Sequence, residues 1–177
     1  GKRLLDEVVF AYDSPKFYTF DVTGVNELVF TVPRGSQDIS FGNVKLWKAG
    51  VAVSNPNTIL AGVPKGTVDL MKTNQLYTYR EGLVKPVLGD RYQGKMTQEK
   101  TISINRKDYD SGLQFSVSQA LAGTEYGTAG FWLDKRYDKV SFIVGPRDNQ
   151  SSNSSAWLVV KADRKTIYEG MVKQTDL

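Results

Sequence analysis

Residues 129–172 read AGFWLDKRYDKVSFIVGPRDNQSSNSSAWLVVKADRKTIYEGMV. Four apolar runs stand out in this stretch: Ala129–Asp134, Lys139–Val144, Ala156–Lys161 and Lys165–Val172. Asp, Gly, Pro, Asn and Ser residues separate them. Each run is too short for a packed helix and either alternates in polarity or is rich in β-branched residues, which is the pattern of strands joined by turns. Outward from here the pattern repeats at Leu4–Ala11, Phe17–Val22, Glu27–Val32, Asn43–Lys48, Lys100–Ile104 and Leu113–Val117. Gln119–Leu121 offers a turn of helix at most, and Val68–Asn74 is open between the two states. Short strands at regular spacing predict an all-β chain, a sandwich or jelly roll.

Period two also sorts the side chains by face. Phe131 and Leu133 fall together and leave Trp132 opposite. Ala156, Leu158 and Val160 leave Trp157 opposite, and Val44 and Leu46 leave Trp47 opposite. All three tryptophans are therefore expected on the face away from the aliphatic residues. There they would either stack sugar rings, whose C–H faces pack on indoles, or be covered by a neighbouring domain or loop.

Composition narrows the chemistry. The 177 residues contain no Cys and no His, which removes disulfides, imidazole-ligated zinc, Ser-His-Asp triads and Cys-His pairs. The acids Asp90, Glu99, Asp108, Asp110 and Glu125 are scattered and form no spaced pair for glycoside hydrolysis. No glycine-rich loop precedes a helix as a phosphate cradle would. No catalytic constellation, metal site or cofactor is expected. The net charge of +4 is spread along the chain rather than clustered. It argues against nucleic acid as a partner and gives at most a weak pull toward acidic surfaces. No apolar run is long enough to span a bilayer.

Two segments read as loops. Gly50–Gly66 carries Pro56 and Pro64 with little periodicity, and Gly145–Ser155 holds N-x-S sequons at Asn149 and Asn153. The ends of the chain resemble each other. When Gly1–Ser14 is laid on Arg164–Leu177, Lys2 meets Lys165, Val9 meets Val172 and Asp13 meets Asp176. Leu4 falls on Ile167, Asp6 on Glu169 and Val8 on Met171. An internal repeat is expected from this overlap.

From Lys95 to Val172 the chain resembles the NPCBM family of carbohydrate-binding modules. The likeness runs through Ile102–Asn105, Tyr109, Gly112–Leu113, Gly130–Leu133, Tyr137, Phe142, Val144–Gly145, Leu158–Asp163, Lys165 and Ile167–Tyr168. The closing strands of that family resemble Gly1–Lys48 instead, through Gly1–Lys2, Leu4–Leu5, Phe20–Gly24, Glu27–Val32 and Gly42–Trp47. The order is therefore inverted. Members often carry a His after the Gly-Leu pair and an acidic loop after the later Gly. Here Gln114–Val117 and Pro146–Asp148 stand in those places.

The resemblance implies a galactose-binding-like jelly roll and an extracellular or cell-surface location in a bacterial-type secreted protein. Residues 1–50 are then closing strands that belong to a preceding repeat, to a permuted domain or to a neighbouring chain. Residues 51–66 are a linker, and 67–177 form the main sandwich. Two functions follow. The chain is read as a non-catalytic structural or adhesive repeat that joins copies of itself head to tail by strand complementation, through Leu4, Val8, Phe20, Val22, Val29 and Leu46. The alternative is a carbohydrate-binding module that tethers a secreted protein to glycan through Asn105, Tyr109, Trp132 and Trp157.

Overall fold

The computed structural model describes residues 16–33, 36, 38–52, 66–73, 75–79, 84–87, 101–104, 106–117, 126–146 and 155–173. Leu4, Val8, Asn105, both sequons, most of the 51–66 segment and the N-terminal half of the end overlap lie outside the described residues. The described residues are all-β, with no α-helix among them. None of their helical turns is long and apolar enough to cross a membrane.

Thirteen strands are present: β1 (Lys16–Asp21), β2 (Glu27–Pro33), β3 (Ile39–Trp47), β4 (Thr67–Asp69), β5 (Leu76–Tyr79), β6 (Val84–Val87), β7 (Ile102–Ile104), β8 (Lys107–Tyr109), β9 (Gly112–Phe115), β10 (Tyr126–Trp132), β11 (Lys139–Pro146), β12 (Ser155–Ala162) and β13 (Lys165–Lys173). The first sheet runs β1-β11-β3-β9-β6, with β4 also on β3. The second runs β13-β12-β2-β10-β5, and β7-β8 form a separate hairpin. All pairings are antiparallel, for example Phe20 opposite Val140 and Phe30 opposite Val160.

The inward residues of the two sheets share one core. Phe30 of the second sheet sits 5.4 Å from both Phe41 and Phe142 of the first, in edge-on and tilted contacts. Such contacts add to the area each ring buries. Tyr18 and Tyr168 meet across the sheets with hydroxyls 3.2 Å apart, which gives each buried phenol a polar partner. β2 alternates without a break, with Leu28, Phe30 and Val32 fully buried and Glu27, Val29, Thr31 and Pro33 half-buried. This is the signature of a strand with one face on the core.

β11 reads differently because both its faces are buried. Phe142 and Val144 point into the main core, whereas Ile143 joins Phe17, Ile102, Ile104 and Tyr109 in a second cluster. The β7-β8 hairpin thus seals the outer face of the first sheet. Gly42 makes this possible, since a Cβ there would lie 2.6 Å from Cγ of Tyr109. Next to it, Asn43 takes φ +50°, and the β3–β11 register slips between Ser141 and Ile143. The slip is a bulge that lets the first half of β3 pair with β9 and the second half with β4.

Residues 16–47 are built into these sheets. β11 lies between β1 and β3, and β2 lies between β12 and β10. Phe20, Val22 and Leu46, expected at a joint with a neighbouring unit, are at most 2% exposed inside this chain's own core. Val29 is half-buried on the outer face of the second sheet. β1, β2 and β3 therefore pair with later strands of this same chain.

Candidate functional site

Among the described residues, no hairpin covers the outer face of the second sheet. The four exposed large hydrophobic residues among those described are Tyr77, Trp132, Trp157 and Met171, at 38–44% exposure. All four are outward residues of this sheet. Trp132 and Trp157 thus share the face expected of them. They stand at opposite corners, however. Trp132 is opposite Glu27, whereas Val159 is opposite Thr31, which puts Trp157 level with Pro33 and two strands over. At ordinary strand rise and spacing they are about 20 Å apart, too far for one sugar ring to touch both. Trp157 instead pairs across the strands with Met171 and donates its indole N–H to Glu169 at 3.2 Å.

One other expectation needs correction. Tyr109 is 2% exposed, under the hairpin on the other sheet, and its hydroxyl has no hydrogen-bond partner among the described residues. Burial pushes that phenol up to about 12. Trp47 does point away from Leu46, but it is 1% exposed and donates to Ser141 Oγ at 2.7 Å. Parity assigned the side of the sheet correctly for Trp47. It could not say whether that side was covered.

Around Trp132 the chain builds a site. Asp69 ends β4 and accepts from Met71 N at 3.0 Å, so it caps a 3₁₀ turn at Leu70–Lys72. The same carboxylate binds Lys45 at 2.7 Å and Ser111 Oγ at 2.5 Å. This partly buried anchor ties β4 to the body of the first sheet. The turn then carries the chain to β5 on the edge of the second sheet, delivering Thr73, Gln75 and Tyr77. Trp132 N donates to the Gln75 carbonyl at 2.9 Å, which fixes the two residues side by side.

Tyr77 stacks on Trp132 with ring centroids 4.4 Å apart and planes 26° from parallel. Gly130 leaves room beneath, where a Cβ would lie 2.7 Å from the Tyr77 ring. The Tyr77 hydroxyl donates to Glu27. Burial, the hydrogen bond to Glu27 and that residue's negative charge together raise the phenol to about 12. The platform is therefore held from below and behind.

Past Trp132 the chain turns through Asp134 (φ +51°) and Lys135 (φ +58°), and Arg136 N donates to the Leu133 carbonyl at 3.1 Å. Two successive left-handed residues make the mirror-image turn that suits strand twist. Leu133 N and Asp134 N both donate to the Asn26 carbonyl, at 2.8 and 3.3 Å. Asn26 N and Glu27 N in turn donate to the Asp163 carboxylate, at 3.0 and 2.9 Å. The turn presents Asp134 and Arg136, which pair at 2.9 Å, and Arg136 lies 5.8 Å from the centroid of the Tyr137 ring.

Thr73, Gln75, Trp132, Asp134, Arg136 and Tyr137 line a cleft of about 390 Å³, within the range of small-ligand sites. Gln75 is 7% exposed, and neither its Nε2 nor its Oε1 has a hydrogen-bond partner among the described residues. Among those residues no group of acids forms a cluster suited to a metal ion. The sequence pointed to Trp132 alone of these side chains. The alternation of Leu76 and Thr78 with Tyr77 and Tyr79 was the available signal for β5, but it follows a segment whose state was ambiguous. Comparison of the chain with protein-family models, curated proteins and solved structures found no match.

Proposed function

We propose that this chain is a non-catalytic, extracellular glycan-binding module of the galactose-binding-like jelly-roll type that the NPCBM resemblance implies. One observation carries the reading: Trp132, backed by Tyr77, presents a flat, half-exposed aromatic surface at the mouth of a polar cleft. Pyranose C–H faces pack on such surfaces while ring hydroxyls reach for polar groups beside them. The cleft lining includes one carboxylate, Asp134, and Arg136 holds it. Among the described residues the lining holds no second acid for hydrolysis. The assembly reading depended on strands offered to a neighbour, and β1–β3 are taken up within this chain, so glycan binding is the better supported function.

Affinity electrophoresis through gels containing soluble polysaccharides tests the proposal. Trp132→Ala is expected to weaken retardation about tenfold or more, the loss of roughly one aromatic stacking contact. Trp157→Ala, on the same face but at the far corner, should retain it. Retardation that survives Trp132→Ala would sink the assignment of the site.

A further inference from the structure

We infer that the cleft beside Trp132 takes a neutral pyranose, read through two adjacent hydroxyls by the Gln75 side-chain amide. The inference rests on the glycan-binding reading above and goes further by naming the ligand's charge and the atoms that recognise it.

A primary amide carries two donor hydrogens on Nε2 and an acceptor on Oε1. In Gln75 both ends are buried and unpartnered among the described residues, and the residue borders the cleft. A buried polar group without a partner is costly, so a ligand that satisfies both ends gains most. An ionised carboxylate or phosphate can only accept. It would engage Nε2 and leave Oε1 bare against a like partial charge. An ammonium group can only donate and leaves Nε2 bare. Two neighbouring hydroxyls each donate and accept, and so can satisfy both ends together.

The rest of the lining agrees. Arg136 is neutralised by Asp134 at 2.9 Å, so this ion pair gives the cleft no net charge to draw an anion, despite the +4 of the whole chain. The Thr73 hydroxyl is committed to the Leu70 carbonyl at 2.6 Å, and the Tyr77 hydroxyl to Glu27. Among the described residues Gln75 therefore has an unspent donor and an unspent acceptor, whereas the Thr73 and Tyr77 hydroxyls are already used. Trp132 supplies the apolar wall on which the ring's C–H face lies.

The test uses the full chain in affinity gels containing neutral polysaccharides (a galactan, a glucan, a mannan) or anionic ones (polygalacturonate, a teichoic acid), at low and high salt. Immobilised unstructured peptides serve as a separate arm, because a peptide amide also donates and accepts. The expected result is retardation by a neutral polymer, insensitive to salt, and weakened about tenfold or more by Gln75→Leu. Gln75→Met is the second variant should the Leu form fail to fold. Neutral retardation unchanged in the Gln75 variants would overturn this inference and leave glycan binding standing. Salt-sensitive retardation by anionic polymers alone would do the same. Capture by peptides with no polysaccharide retarding the chain would overturn both.

Discussion

Replacing Gln75 by Leu should make the protein more stable, the opposite of what most buried substitutions do. The wild-type residue is 7% exposed with both amide ends unpartnered among the described residues. An unsatisfied buried polar group costs about 1–3 kcal/mol, and an apolar side chain of similar size removes that penalty. The backbone bond from Trp132 N to the Gln75 carbonyl is untouched. A gain of about 2 kcal/mol, the middle of that range, corresponds to a rise of about 4–8 °C in the unfolding midpoint for a domain of this size. Circular dichroism during heating, paired with urea titration, reads it out. The urea slope should stay constant while the midpoint moves up. With a saturating sugar present the order should reverse, because ligand binding stabilises only the form that binds it. A lower midpoint at constant slope in the ligand-free Leu variant would mean that the amide is satisfied in the folded state. The Gln75 amide would then have no unspent donor and acceptor to offer a ligand.

Two further outcomes follow from the packing and the phenols. Gly42→Ala should cost about 1–3 kcal/mol by overpacking, because its Cβ would meet the Tyr109 ring. Tyr109→Ala in the same chain should recover part of the loss, and a double-mutant cycle showing strict additivity would contradict the contact. Tyr77 and Tyr109 both titrate near 12 when folded, against about 10 when unfolded. Their folded values are raised, so the stability they contribute is intact below about pH 10 and is lost as pH climbs through about 12. Tyrosinate absorbance should show two late-titrating phenols, and Glu27→Gln should bring the Tyr77 step down while leaving that of Tyr109 in place.

Much of the architecture was legible in the chain because its strands carry their own boundaries. β10, β11 and β12 end at Asp134, Gly145–Pro146 and Asp163–Arg164, residues whose backbone preferences make turns. Lys139–Val144 was legible as a strand, but that both its faces are buried was not, because the β7-β8 hairpin supplies the second cover. Strands β4, β5, β6 and β8 were missed: they are three or four residues long and, unlike the equally short β7 and β9, lie in no longer apolar alternation. The site was missed for a different reason. Trp132 and Trp47 have the same alternation, and only the placement of other segments leaves one half-exposed and the other at 1%. Tyr77 meets Trp132 because β5 docks on β10, a pairing across more than fifty residues that no local pattern encodes.

The interleaving of early and late strands bears on how the molecule comes to be folded. β1 has its described partner in β11, and β2 has both of its partners in β10 and β12. During synthesis these early segments emerge long before the strands that complete them. Their loop-closure entropy must be met before any ladder rewards it, which makes such topologies slow to form. Residues 16–33, with their fully buried Phe20, Leu28 and Phe30, therefore wait as exposed apolar chain until about residue 160 has been made. Limited proteolysis of ribosome-stalled chains should find that stretch cleavable when synthesis stops before β12 and protected once β12 has cleared the exit. Early protection would mean that a smaller unit folds first. On this topology the burden on chaperones falls on residues 16–33, whereas β5 and β10, which carry the proposed sugar site, have both emerged before β12 is made.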